Sequence, residues 1–185
     1  MRIISGEFGG RRLKAVPGMK TRPTTDKVKE AMFNIIGPYF QGGIALDLFA
    51  GSGGLSIEGV SRGMEEAYLV DRQYQAIKTI KSNVEVTKHP EKFHIIKSDA
   101  WRALKTFSKK KQKFDYLFLD PPYKKQKIVA IIDEMKENDL LAKGAIILCE
   151  TNQEADLPEE ISGCSLLHRS DYGITEVTVY QYNGR

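Results

Sequence analysis

The feature that most constrains the fold is a run of short apolar segments, alternating with helix-like segments, that begins at Ile44. The helix-like segments repeat their apolar residues at intervals of three or four, whereas the segments between them are continuously apolar. Apolar strands joined by helices are typical of a parallel sheet that is covered on both faces. The predicted strands are 44–49, 67–70, 93–96, 114–119 and 145–149.

The carboxyl-terminal part of the chain follows a different pattern. Segments 164–168 and 175–182 have the composition of strands, and they are joined through Asp171-Tyr172-Gly173 with no helix between them. They predict an antiparallel pair at one edge of the sheet. A mostly parallel sheet that ends in such a pair is the outline of the class I methyltransferase fold, which is a Rossmann-like α/β fold. The 185 residues are enough for one such domain and too few for two.

A basic amino-terminal extension, residues 1–41, precedes this predicted core of residues 44–185. Segments 2–5 and 12–16 flank a glycine-rich turn and predict a β-hairpin. Thr24-Thr25-Asp26 offers cap oxygens to a helix predicted over 27–39. Residues 1–29 hold eight Lys and Arg against two acidic residues, a net charge of +6 in a chain whose total is +4. This excess suggests a polyanionic partner, although a merely solvated basic segment would have the same composition.

The composition also bears on compartment and metal binding. No apolar run reaches the roughly 18 residues that span a bilayer, and the first residues lack the apolar stretch of a signal peptide. We therefore expect a cytoplasmic protein with no membrane partner. The two cysteines and three histidines show no metal-ligand spacing, so we expect no bound metal.

A glycine-rich turn, Asp47-Leu48-Phe49-Ala50-Gly51-Ser52-Gly53-Gly54, follows the first predicted strand of the core. Glycines at this place let the backbone approach a ligand closely at the carboxyl edge of the sheet. NAD-dependent enzymes have a G-x-G-x-x-G turn there, but Ser56 occupies the third glycine position in this chain. The carboxylate of Asp47 favours a cationic ligand, such as a sulfonium amino acid, over a pyrophosphate.

Two more aspartates follow predicted strands. Asp71 ends the second strand, 20 residues after Gly51, where a carboxylate can accept both hydroxyls of a ribose. That interpretation fits S-adenosylmethionine and NAD equally. Asp99, after the third strand, is placed either to accept from the amino group of an adenine or simply to cap a helix.

The most specific motif is Asp120-Pro121-Pro122-Tyr123, at the end of the fourth predicted strand. An exocyclic amino group is a poor nucleophile because its lone pair is delocalised into the ring. The Asp120 carboxylate and the Pro121 carbonyl can accept its two N–H bonds, and consecutive prolines hold that carbonyl rigidly. Tyr123 offers a ring on which a flat base can stack. Together with the glycine turn and the spaced aspartates, this motif indicates a site for methyl transfer to an amino nitrogen. It is less well explained as a structural turn stiffened by prolines.

The chain resembles the RsmD family of 16S ribosomal RNA guanine-N2 methyltransferases over nearly its whole length. The resemblance rests on the RPTTDKVKEAMFN segment at residues 22–34, on DLFAGSG, Ser61-Arg62-Gly63 and Asp71, and on DPPY. DPPY and the glycine turn occur in many amino-methyltransferases, whereas segment 22–34 distinguishes this family from the others. The chain departs from the family pattern at Ser56 and Gly59, where glycine and alanine are usual.

The resemblance implies S-adenosylmethionine as cofactor and 16S rRNA, in a small ribosomal subunit or its assembly intermediate, as partner of a monomeric enzyme. It implies methylation of guanine N2, of the type directed at position 966. The catalytic residues would be Asp120, Pro121, Pro122 and Tyr123. The cofactor would be bound by Thr25, Asp47, Phe49, Ala50, Gly51, Gly53, Asp71, Arg72, Asp99 and Ala100. The basic residues expected to bind RNA are Arg2, Arg11, Arg12, Lys14, Arg22, Lys124 and Lys125.

Four alternative functions stay open at this point: methylation of adenine N6, methylation of a protein glutamine, RNA binding without catalysis, and an NAD-dependent oxidoreductase reaction. The same motif would serve methylation of adenine N6 or of a protein glutamine, although a glutamine substrate gives no reason for the basic extension. A non-catalytic RNA-binding protein could retain the fold. A C5-pyrimidine methyltransferase needs a cysteine nucleophile after a proline, and neither Cys149 nor Cys164 has that setting.

Overall fold

The structure is a computed structural model that describes residues 1–18, 24–122 and 127–184. Its centre is one seven-stranded sheet. The strands are β1 (Ile44–Asp47), β2 (Glu66–Asp71), β3 (Phe93–Lys97), β4 (Phe114–Leu119), β5 (Leu141–Asn152), β6 (Cys164–Tyr172) and β7 (Thr175–Tyr182). Their order across the sheet is β3-β2-β1-β4-β5-β7-β6. Strands β1 to β5 pair in parallel, whereas β7 is antiparallel to both β5 and β6. The predicted class I methyltransferase architecture is therefore confirmed.

Helices cover both faces of the sheet. They are α1 (Asp26–Ile36), α2 (Gly54–Ser61), α3 (Tyr74–Val86), α4 (Ala100–Lys110) and α5 (Ile128–Glu137). One apolar core lies between the sheet and helices α4 and α5. A second core lies on the opposite face, where α1, α2, α3 and the amino-terminal segment pack. Within the described ranges, no helix has the length and apolar character needed to cross a membrane.

Helix α1 is shorter than predicted. Thr25 caps it by accepting from the Val28 amide at 3.2 Å, as expected, but the helix ends at Ile36 because Gly37 and Pro38 follow. Tyr39, the last residue of the predicted helix, lies beyond its observed end and is 62% exposed. The buried residues of the helix are Met32 and Phe33, together with Lys29.

The predicted amino-terminal hairpin is present as a short antiparallel pair. The Ile3 amide donates to the Arg11 carbonyl at 2.8 Å, and the Leu13 amide donates to the Met1 carbonyl at 2.9 Å. Arg2 and Arg12 form the antiparallel bridge of this pair. The backbone amides of Ile4 and Ser5 donate to the carboxylate of Glu58, at 2.8 and 3.1 Å. The segment therefore docks on helix α2, and we call residues 1–18 the basic arm.

A buried charge cluster joins this arm to helices α1 and α2. Glu58 has no exposed surface, and its carboxylate lies 3.3 Å from Lys29 Nζ and 2.7 Å from Arg62 Nε. Lys29 also donates to the carbonyl of Arg2 at 2.6 Å. Burial lowers the pKa of Lys29, and Glu58 partly offsets that effect. One carboxylate thus holds three separate segments together.

Candidate active site

Three neighbouring strands carry carboxylates at the same edge of the sheet. Asp47 is the last residue of β1, and Asp120 follows β4 directly. Leu119 pairs with Cys149 of β5, so the next residues, Asp120 and Glu150, lie side by side. The carboxyl edge of a parallel sheet is where ligands of such folds bind. The sequence identified Asp47 and Asp120 but missed Glu150, which the apolar strand before it could have indicated.

Asp47 is a buried carboxylate with one unsatisfied oxygen. Ser56 donates to its Oδ2 at 3.1 Å, whereas Oδ1 has no hydrogen-bond partner among the described residues. Burial raises the pKa of Asp47 to about 7, and the hydroxyl of Ser56 partly opposes that rise. The serine that departs from the family pattern therefore holds this carboxylate in place. A buried acceptor left open in this way fits a cationic ligand group.

Asp120 and Glu150 form a hydrogen-bonded carboxyl pair. Burial and the neighbouring charge of Glu150 raise the pKa of Asp120 well above its usual range, and burial raises the pKa of Glu150 as well. Thr24 Oγ1 donates to Glu150 Oε2 at 2.6 Å and anchors the pair from the start of helix α1. Two carboxyl groups this close hold a proton between them more readily than either would alone.

The glycine turn leaves open space beside these groups. Gly51 and Gly53 have φ values of +57° and +82°, which favour glycine. A Cβ added at Gly51 would meet no atom within 4 Å, so a ligand can approach the backbone there. Asp71 Oδ2 accepts from the Gly51 amide at 3.0 Å, and its Oδ1 accepts from the Gln73 amide at 2.9 Å. Asp71 thus orders the turn and keeps lone pairs for a ligand.

Asp99 caps helix α4 by accepting from the Arg102 amide at 2.9 Å. This is the structural role that the sequence also allowed, and its exposed side chain lies at the same edge of the sheet after β3. Four other predicted cofactor residues closely follow the strands that end at this edge: Phe49 and Ala50 after β1, Arg72 after β2 and Ala100 after β3. Ala50 and Ala100 are buried, Phe49 is partly buried, and Arg72 and Thr25 are exposed.

The proline pair lies where the sequence predicted it, and part of the motif falls outside the described residues. Pro121 is buried and Pro122 is exposed, directly after Asp120. The predictions for Tyr123, Lys124, Lys125 and Arg22 fall in segments 19–23 and 123–126, which the structure does not describe.

The predicted RNA-binding residues of the basic arm differ in their exposure and contacts. Arg2, Arg12 and Lys14 are exposed. Arg11 is engaged with the protein, because its Nη1 donates to the carbonyls of Val86 and Thr87 at the end of α3, at 3.0 and 3.1 Å. Its predicted RNA contact therefore competes with a structural role.

Asn83 links the arm to the glycine turn, a connection that the sequence did not reveal. Its amide group accepts from the Lys14 amide at 2.8 Å and donates to the Lys14 carbonyl at 2.9 Å. It also donates to the carbonyl of Ser52 at 2.8 Å. The side chain is buried near the carboxyl-terminal end of α3, so this is a fixed connection. The position of the arm is thereby tied to the candidate cofactor site.

The fold and this edge of the sheet define a class I methyltransferase. A family model described as conserved hypothetical protein 95 matches residues 1–181. The chain belongs to this family, which is the RsmD family predicted from its sequence.

Individual relatives agree with this assignment. The chain is 49% identical to "Putative rRNA methyltransferase YlbH" of Bacillus subtilis (strain 168), with all of both chains covered. It is 33% identical to "Ribosomal RNA small subunit methyltransferase D" of Haemophilus influenzae, covering 98% of this chain and 93% of that one. A solved structure, "Putative methyltransferase yhhF from Escherichia coli", has a TM-score of 0.83 at 30% identity, covering 100% of this chain and 99% of that chain.

Proposed function

We propose that this protein transfers a methyl group from S-adenosylmethionine to the exocyclic N2 amino group of a guanine in 16S rRNA, of the type directed at position 966. The observation that carries the proposal is the placement of Asp120-Pro121 beside the half-satisfied Asp47 at one sheet edge. The amine acceptor and the carboxylate for a cationic donor thus end neighbouring strands. The Haemophilus influenzae relative bears the name of a small-subunit rRNA methyltransferase, which supports the same substrate class.

The residues of the edge fit S-adenosylmethionine group by group. Asp47 Oδ1 would accept from the ammonium of its methionine part, which satisfies the buried oxygen that now lacks a partner. The open side of Gly51 would receive the cofactor, and Asp71 would accept from the ribose hydroxyls. Asp99 would accept from the adenine amino group, with Ala100, Arg72, Phe49 and Ala50 lining the site and Thr25 nearby. When bound, the cofactor supplies an activated methyl group on a sulfonium.

The protein's own part in the reaction is to position an amine. Asp120 and the Pro121 carbonyl would each accept one N–H bond of the guanine N2 group, which turns the nitrogen lone pair toward the methyl donor. Pro122 fixes the backbone so that the carbonyl cannot swing away. Orientation of this kind is worth up to about 7–11 kcal/mol in well-aligned intramolecular reactions. The proton lost from the amine would leave through Asp120 or water, and the target base must first be flipped out of its stack.

The RNA would be held by the exposed residues Arg2, Arg12 and Lys14 of the basic arm, which contact phosphates and not base edges. Arg22, Lys124 and Lys125 would add further phosphate contacts, and Tyr123 would stack on the target base. We propose that the enzyme acts as a cytoplasmic monomer on a small subunit or its assembly intermediate. A cysteine nucleophile is not part of the proposal, because Cys149 is buried and burial raises its pKa.

The test is transfer of a radiolabelled methyl group to undermethylated small subunits, followed by nucleoside analysis of the rRNA. We expect label in N2-methylguanosine. Asp120→Ala should lower methyl transfer by about 10²-fold or more while RNA affinity stays near that of the wild type. Asp133→Ala, at an exposed position on α5, is the matched control and should retain activity.

Each rival function predicts a different result in the same assay. Label in N6-methyladenosine would replace guanine N2 as the target, and label in a ribosomal protein would replace RNA altogether. RNA binding without any methyl transfer would indicate a non-catalytic protein on this fold. Calorimetric titration with S-adenosylmethionine and with NAD separates the methyltransferase from the oxidoreductase interpretation, and we expect heat only with the former.

A further inference from the structure

Glu150 is the one carboxylate of the three-strand edge that the proposed mechanism does not use. It is 5% exposed, it lies in β5 beside Asp120, and its side chain has two partners at the site, Asp120 and Thr24. A buried glutamate without a cation beside it is costly unless its hydrogen bonds compensate. The described residues around it offer a threonine hydroxyl and two other carboxyl groups, those of Asp120 and Asp47. A purely structural role would be served better by an apolar residue.

We propose that Glu150 is a positioning residue for methyl transfer, which fixes the Asp120 carboxyl group through a shared hydrogen bond and sets the pH range in which that group can accept an amine N–H. The inference rests on the proposed function, because it concerns the state of the amine acceptor. It adds a residue outside the Asp120–Tyr123 motif.

The geometry constrains Glu150 from two sides. Thr24 Oγ1 donates to Glu150 Oε2 at 2.6 Å, and the extended strand β5 fixes the backbone, pairing Glu150 with Val177 of β7. With Glu150 held in this way, its hydrogen bond to Asp120 fixes the rotation of the Asp120 carboxyl group. Without it, no side chain among the described residues would hold the Asp120 carboxyl group in one orientation.

The charges explain the pH dependence. An oxygen of Asp120 can accept an N–H bond well only when the group is ionised, and the negative charge of Glu150 opposes that ionisation. Asp47 opposes it too, from the end of β1, and Thr24 favours the ionised form of Glu150 by donating to it. The shared proton therefore stays with the pair to a higher pH than a lone carboxyl group would allow.

The experiment compares the pH dependence of kcat in the wild type, Glu150→Gln and Glu150→Ala, at saturating cofactor and small subunits. Glutamine keeps both hydrogen bonds but carries no charge and can donate an N–H to Asp120. We expect E150Q to keep its plateau rate within about threefold of the wild type and to move the acid limb by roughly one pH unit toward lower pH. E150A should move the limb in the same direction, but its plateau should fall about tenfold because Asp120 is no longer held.

Saturating cofactor separates this effect from the titration of Asp47, which would appear in the KM for S-adenosylmethionine. The matched control is Glu160→Gln, at an exposed position, which should leave the profile unchanged. The wild-type profile is a second test that needs no variant: its acid limb should lie clearly above the usual pKa range of carboxyl groups.

The outcomes distinguish a failure of the role of Glu150 from a failure of the proposed function. An active wild type whose acid limb does not move in E150Q, or whose rate stays flat down to about pH 4, would overturn the role of Glu150 and leave the proposed function standing. A lower plateau with an unmoved limb would mean that Glu150 acts only in folding, which also overturns the inference. If the wild type binds no S-adenosylmethionine and transfers no methyl group, the proposed function fails and this inference fails with it.

Discussion

The sharpest stability prediction concerns Glu58, the carboxylate beneath the basic arm. Glu58→Gln keeps the shape of the side chain but removes its charge. Two buried cations, Lys29 and Arg62, then lose their counterion, and the amides of Ile4 and Ser5 exchange a charged acceptor for a neutral one. Breaking a buried ion pair by removing one partner costs about 3–5 kcal/mol. We expect a loss of about 4 kcal/mol in the free energy of unfolding.

Equilibrium urea unfolding and thermal melting test this value. In a domain of this size 1 kcal/mol corresponds to roughly 2–4 °C, so the Tm should fall by about 10–15 °C. Glu65→Gln, an exposed change near the same helix, is the matched control and should stay within about 0.5 kcal/mol of the wild type.

A double variant tests whether the lost stability comes from uncompensated buried cations. Lys29→Met in the Glu58→Gln background removes one of the two uncompensated cations, so it should restore at least about 1 kcal/mol of the lost stability. The explanation would be refuted by a single variant within about 1 kcal/mol of the wild type, or by a double variant less stable than the single one.

Three further predictions concern the pH dependence of stability and the basic arm. Because burial raises the pKa of Asp47 to about 7, the folded protein keeps a proton there that the unfolded chain releases near pH 4. Stability without cofactor should therefore fall as pH rises between these values, and Asp47→Asn should flatten part of that slope, as urea midpoints at pH 5 and 7.5 would show. Arg11→Ala should cost about 1–2 kcal/mol of stability through its lost carbonyl contacts. Arg12→Ala should leave stability unchanged and reduce the salt dependence of RNA binding by about one ion, measured by fluorescence anisotropy; a loss of stability without a change in binding would contradict this.

The sheet was predictable because its signals are local. Strands β4 and β7 fall on the predicted residues, since each is an apolar or β-branched run with clear boundaries. The docking of the amino-terminal hairpin on α2 was not predictable, because the amides of Ile4 and Ser5 pair with a glutamate more than 50 residues away in sequence. The burial of Lys29 on the inner face of α1 was not predictable for a related reason. A lysine at position 29 counts as polar in a periodicity argument, yet it is buried against Glu58.

In the candidate active site too, residues in local motifs were predictable and residues defined by distant contacts were not. Asp47, Asp71 and Asp120 could be placed from strand ends and spacing alone. Glu150 also follows an apolar strand, but its pairing with Asp120 was not predictable. That pairing comes from the register between β4 and β5 and from Thr24, which lies 126 residues away. In the sequence, Asn83 is not distinguishable from an asparagine on the exposed face of a helix. Only its hydrogen bonds with Lys14 and Ser52 show that it connects the basic arm to the glycine turn.

The anchoring of the basic arm has a consequence for how related chains can diverge. Glu58 compensates charges that come from α1 and α2, and it receives amides from the first five residues. In a related chain without the first five residues, the carboxylate of Glu58 would lack the two amide donors of that segment. Loss of the segment should therefore be accompanied by replacement of the glutamate. Surveying lineages for a glutamate at this place is therefore a way to recognise which of them still carry the extension.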